Sequence, residues 1–247
     1  MAVQTPHQNV AFESSGTEAH GYLALPESGK GPGVIVIQEW WGLTDHIRDV
    51  ADRLAAQGFV ALAPDLFGGS ITHDGEEAGR MMSELPEEKG AELLAGAVDY
   101  LLASDNVTSE KLGAIGFCMG GGFVLQLAAQ QGEKIAAAVP FYGVGQGVPN
   151  DFSGVSAAVQ GHYANFDDFY PVDQAREQEQ QIRRESGTEV TYSTTTESTP
   201  STTTRIRLGT TILRWPTPPG SAPWNSCRKK SLKTHKVVSI TASSIIT

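Results

Sequence analysis

Hydrophobic and polar positions change their period several times along the chain. Val34-Ile35-Val36-Ile37 is an unbroken apolar, β-branched run. Such a run predicts a strand covered on both faces. From Asp45 to Gln57 the apolar residues fall at Ile47, Val50, Ala51, Leu54 and Ala55. That is helical spacing, and Gly58 follows as the stop. Phe59 to Leu62 reads as the next strand and PDLFGG as a loop. Glu87 to Leu102 is an amphipathic helix, Leu112 to Phe117 a strand, and Met119 to Gln130 a helix. Two more strands are predicted over 136–141 and 155–159, a helix over 171–185 opening on proline, and a last strand beginning at 189–192. Residues 8–25 read as two short strands around a Ser-Gly turn. The alternation implies a mostly parallel sheet with helices on both faces.

Composition narrows the picture. The chain has 247 residues, enough for one large α/β domain. No apolar run approaches the roughly 20 residues needed to span a bilayer. The opening MAVQTPHQNVAFESSG has neither a basic stretch nor an apolar one, so a cytoplasmic location is expected, without a membrane partner. Two cysteines, Cys118 and Cys227, make neither a disulfide framework nor a four-ligand zinc site. The net charge of −10 is uneven: residues 1–192 carry −17 and residues 193–247 carry +7. The acidic body argues against nucleic-acid binding. The basic segment has 22 Ser or Thr and 5 Pro among its 55 residues. That composition does not build a packed core. The expected division is therefore a domain over 1–192 and a poorly ordered tail over 193–247.

The chemistry centres on Gly116-Phe117-Cys118-Met119-Gly120, between a predicted strand and a predicted helix. This is the G-x-S-x-G nucleophile elbow with cysteine at its centre. The turn leaves no room for side chains beside the nucleophile, hence the glycines. It sets Cys118 at a helix N-terminus, where the dipole favours thiolate, and aims the Met119 N–H at a developing oxyanion. The alternative is a buried core cysteine in a glycine-rich turn.

Residues 10–192 resemble the dienelactone hydrolases, a branch of the α/β-hydrolase fold. The resemblance rests on VIVIQEWWGL (34–43), APDLFGG (63–69), GAIGFCMGGGF (113–123), PFYGVG (140–145) and ANFDDFYPV (164–172). It implies a Cys–Asp–His hydrolase of small lactones or esters, working as a monomer without metal or organic cofactor. Cys118 matches the nucleophile and Glu39 the glutamate that governs its activation. Trp40 matches the second oxyanion donor beside Met119. Asp167, four residues before Pro171, matches the triad aspartate, with Asp168 as its competitor. Arg80 matches a carboxylate-gripping arginine or is a solvated helix residue. Tyr142 lines the pocket or packs beneath the elbow. Glutaminases share a G-x-C-x-G elbow, but QEWWGL and PFYGVG favour the hydrolase.

A Cys–Asp pair needs a base between them. The resemblance places it about thirty residues after the aspartate, and Thr199 stands there. His7, His20, His46 and His73 precede the elbow, where this topology has no place for the base. His162 ends a strand before the aspartate loop and reads as structural, and His235 lies far into the tail. Codon degeneracy offers an account. Read one nucleotide earlier, codons for Thr199 to Arg205 permit H-A-F-H-N-D-E, the family's histidine motif. The segment from about 193 onward is thus expected to be out of the ancestral frame, with the last strand and final helix lost or altered.

Overall fold

The computed structural model describes residues 7–143, 145, 147–165 and 171–195, together with the backbone of two short strands at 205–208 and 211–214. An antiparallel hairpin opens the domain, β1 (Val10–Ser14) and β2 (Thr17–Ala24), turning at Ser15-Gly16. Then follow β3 (Gly33–Ile37), α1 (Asp45–Ala56), β4 (Val60–Pro64), α2 (Gly75–Glu84), α3 (Glu87–Leu102), β5 (Leu112–Phe117), α4 (Met119–Gln131), β6 (Ile135–Phe141), β7 (Ala158–Ala164), α5 (Val172–Ser186) and β8 (Val190–Thr195).

These strands form one eight-stranded sheet in the order β1-β2-β4-β3-β5-β6-β7-β8. The hairpin joins it antiparallel through β2 and β4, and the remaining pairs are parallel. The apolar runs sit at its centre: β3, β4, β5 and β6 are buried at every residue. Both faces are covered, as the continuous runs require. On one face Leu94, Val98 and Leu101 of α3, Phe123, Val124 and Leu127 of α4 and Ile182 of α5 pack on Ile35, Ile37, Leu62 and Val159. On the other, Ile47, Val50, Ala51 and Leu54 of α1 pack with Val34, Val36, Ala61, Ala63, Ile115 and Phe117.

Three elements differ from the sequence expectation. Helix α2 falls in a stretch to which the hydrophobic pattern gave no element; only Ala78 and Met81 are buried on it. Its N-terminus is set instead by Asp74, whose carboxylate accepts the Glu77 N–H at 2.9 Å. The strand expected at 155–159 begins at Ala158 and runs to Ala164. Val155 belongs to the core without being in the strand, and the strand's inner positions include Gln160 and His162. Strand β8 continues to Thr195, paired with β7 from Val159↔Val190 to Ala164↔Thr195. Threonine is β-branched and suits a strand. Within the stretch read as a tail, the backbone of β9 (Arg205–Leu208) pairs antiparallel with β10 (Thr211–Arg214).

Candidate active site

Parallel strands β3, β5, β6 and β7 bring their C-terminal ends to one edge of the sheet, where open α/β sheets carry their sites. β5 ends at Phe117, α4 begins at Met119, and Cys118 is the single residue between them. Its backbone has φ 57° and ψ −123°. A positive φ is costly for a residue with a Cβ, so the surroundings must hold it. The Cys118 N–H donates to Phe141 O at 3.0 Å, and Cys118 O accepts the Gly121 N–H at 2.9 Å. Close approach does the rest. A Cβ on Gly120 would lie 2.4 Å from Gln38 O, and one on Gly116 2.3 Å from Gly120 O. The glycines therefore let the head of α4 drop onto the end of β3.

Cys118 is only partly buried. It sits at the N-terminus of a helix of 13 residues, where helix N–H groups lack intrahelical acceptors and favour anionic charge. Met119 is the first residue of that helix and 3% exposed.

Glu39 lies two residues beyond β3. The chain turns sharply there: the Gly42 N–H donates to Glu39 O at 3.3 Å and the Thr44 N–H to Gly42 O at 2.9 Å. Gly42 has φ 95°, and a Cβ on it would meet Ser70 O at 2.3 Å. α1 starts immediately after. Burial raises the Glu39 pKa above the ordinary carboxylate range; the charge of His46 and a hydrogen bond from Tyr142 pull it back down. The side chain keeps some accessible surface, yet its carboxyl group is ringed by protein atoms, which is why burial dominates. The Tyr142 hydroxyl donates to Glu39 Oε1 at 3.3 Å. Tyr142 also has positive φ, 41°, and its N–H donates to His162 O at 2.8 Å. Trp40 and Trp41 pack edge to face with ring centres 5.0 Å apart.

A ladder of rings lies under this edge. Phe117 stacks on Phe141 at 4.9 Å, and Phe141 on His162 at 4.6 Å. The three are cross-strand partners on β5, β6 and β7. His46 of α1 extends the ladder, 6.3 Å from Phe117. Burial pushes the His162 pKa down to about 4.

The structure thus brings Cys118, Glu39, Met119 and Tyr142 to one edge of the sheet. Arg80 is elsewhere in its bonding: on exposed α2 it forks onto Glu77 at 2.6 Å and Glu84 at 2.7 Å. It borders a cavity of about 900 Å³ lined also by His20, Asp65, Phe67, Leu85 and Lys89, and not by Cys118 or Glu39. Asp167, Asp168 and Thr199 lie outside the described residues. Among the described residues no group of three or more His, Cys, Asp or Glu is arranged to hold a metal, and no helix is long and apolar enough to cross a membrane.

Residues 19–192 match the family model described as "Dienelactone hydrolase family". Protein usf of Aquifex pyrophilus is 37% identical over 168 residues, covering 66% of this chain and 72% of that one. A carboxymethylenebutenolidase homologue of Aquifex aeolicus is 37% identical over 145 residues, covering 56% of this chain and 62% of its own, so less than two thirds of that relative is spanned. A crystal structure of dienelactone hydrolase type from Klebsiella pneumoniae superposes with a TM-score of 0.68 at 27% identity, covering 77% of this chain and 85% of that one.

Proposed function

This chain belongs to the dienelactone hydrolase family, and on that premise we propose that it is a carboxylic ester hydrolase acting on small lactones or esters through Cys118. The observation that carries the proposal is the backbone of Cys118, held at positive φ between β5 and the head of α4. Such an elbow exposes a thiol at the sheet edge and sets it against a helix N-terminus.

The Cys118 thiolate attacks the carbonyl carbon. A C–S bond forms, and the carbonyl π electrons move to oxygen. That oxyanion is held by the N–H groups of Met119 and Trp40. Its collapse breaks the C–O bond of the lactone or ester, whose oxygen takes the proton that Glu39 has received from the thiol. The thioester that remains is then attacked by water, and Cys118 departs as thiolate. Glu39 takes the proton of the thiol. Asp167 would orient a histidine that removes the proton from water. Arg80 could grip a substrate carboxylate only by leaving Glu77 and Glu84.

This sequence has Thr199 where that histidine is expected, so acylation of Cys118 outpaces hydrolysis of the thioester. Residues 1–192 form the hydrolase domain, and the segment from about 193 onward is read out of the ancestral frame. A second reading follows from the same residue: a relative that keeps the pocket and binds small molecules without turning them over. Incubation with p-nitrophenyl acetate, followed by peptide mapping, separates the two. Acetyl on the Cys118 peptide, and its loss in Cys118→Ala, supports the hydrolase. An unmodified Cys118 under conditions where the ester binds supports the binding protein.

A further inference from the structure

Helix α5 buries Ala175, Gln178 and Ile182. Gln178 is the polar member of that face, 7% exposed. A buried amide is costly unless both its ends are bonded, and here both are. Its Oε1 accepts the Tyr163 hydroxyl of β7 at 2.9 Å and the Tyr192 hydroxyl of β8 at 2.6 Å. Its Nε2 donates to the Gly143 carbonyl at 3.1 Å, and the Tyr163 hydroxyl also lies 3.4 Å from that carbonyl. The two phenol rings stack with 4.8 Å between centres. Burial pushes both phenols above their ordinary range, so each stays a donor. Two donors on Oε1 fix which way the amide faces.

Gly143 follows Tyr142 beside the elbow. A Cβ on Gly143 would lie 2.3 Å from Gly121 C, so the backbone here runs directly against the head of α4. Tyr142 has φ 41°, a conformation that a residue with a Cβ keeps only where its surroundings hold it. Bonds on either side do so: the Tyr142 N–H donates to His162 O at 2.8 Å, and the Gly143 carbonyl accepts from Gln178. From that backbone the Tyr142 hydroxyl reaches Glu39 Oε1 at 3.3 Å.

We propose that Gln178 is a positioning residue for the reaction: its amide, clamped by Tyr163 and Tyr192, holds Gly143 so that the Tyr142 hydroxyl stays on Glu39. The purpose of this rests on the hydrolase reading. If Gln178 served only to dock α5, an apolar side chain beside the tyrosine rings would do, and no bond would need to run past them to a loop carbonyl. Tyr192 is also the last residue of the stretch that matches the family, so the clamp is complete ahead of the threonine-rich segment.

The test is a carbon-detected NMR titration of the Glu39 carboxyl in the full chain, a signal that mere docking of α5 would not move. In Gln178→Met the Glu39 midpoint is expected to rise as it does in Tyr142→Phe, and Gln178→Met placed on Tyr142→Phe is expected to raise it no further. Tyr192→Phe keeps the ring stack and loosens the amide. It is expected to shift the midpoint in the same direction, and it carries the test if Gln178→Met does not fold. An unchanged midpoint in a folded variant overturns the proposal, and so does a rise that persists in full on the Tyr142→Phe background. Acylation of Cys118 by p-nitrophenyl acetate is expected to slow by up to roughly fivefold near neutral pH, the effect of losing one hydrogen bond to a charged group, and to recover as pH rises. Failure of the unsubstituted protein to acylate would sink the hydrolase reading and leave the titration unaffected.

Discussion

Tyr142 donates its hydroxyl hydrogen to Glu39 Oε1 at 3.3 Å across 103 residues of chain. The bond ties the end of β6 to the end of β3 directly beside the elbow, and it works against the burial that raises the Glu39 pKa. Tyr142→Phe removes the hydroxyl and keeps the ring. A hydrogen bond to a charged group at this length contributes about 1 kcal/mol, so acylation of Cys118 should slow by roughly fivefold near neutral pH. The rate should recover as pH rises, because Glu39 then ionises without help. Stopped-flow release of p-nitrophenolate across pH measures both effects.

Gly120→Ala tests the elbow's packing. The added Cβ would have to push Gln38 O away from 2.4 Å, and that atom is backbone. Overpacking of this kind costs about 1–3 kcal/mol. The expected result is a Tm lower by several degrees and a loss of acylation, since α4 can no longer seat against β3. A variant with unchanged Tm would show that the approach of the two elements is not tight.

His162 gives the fold a pH dependence. Its pKa falls from 6.5 unfolded to about 4 folded, because the ring is buried beside Phe141. Between those values the unfolded chain holds a proton that the folded chain does not. Stability therefore falls as pH drops from about 6.5 to about 4, and this residue contributes no further loss below that. The total is roughly 3 kcal/mol at most. His162→Phe keeps the stack on Phe141 and removes the titration. Urea unfolding at several pH values should show the two proteins diverging as pH falls, with the variant the flatter of the pair.

Arg80→Ala should leave acylation rate and apparent ester affinity within a factor of about two, because exposed ion pairs on one helix contribute little and Arg80 is bonded to Glu77 and Glu84. A large rise in KM confined to lactones that carry a carboxylate would instead make Arg80 a substrate contact.

Sequence and structure agree best where burial writes a repeating pattern. The run Val34 to Ile37 became β3, and the apolar spacing of Leu94, Val98 and Leu101 became the inner face of α3. The elbow was legible because its glycines answer a local steric demand. α2 was not, since two buried residues do not make a period. β7 was misplaced because polar Gln160 and His162 take core positions, while Val155 packs inward ahead of the strand. The site was legible as a list of residues, not as a set of relationships. That Tyr142 meets Glu39 follows from β3 and β6 ending at the same edge of the sheet on either side of β5, and no spacing along the chain encodes it.

The account turns on an acyl-enzyme that forms at Cys118 and lacks a base to hydrolyse it. The most direct measurement is the lifetime of that species. The protein is acetylated with p-nitrophenyl acetate, freed of excess ester, and followed by intact mass with and without added imidazole. A thioester on Cys118 that persists alone and decays faster with imidazole is the expected result. Rapid decay without imidazole, at a rate that imidazole does not change, would contradict it.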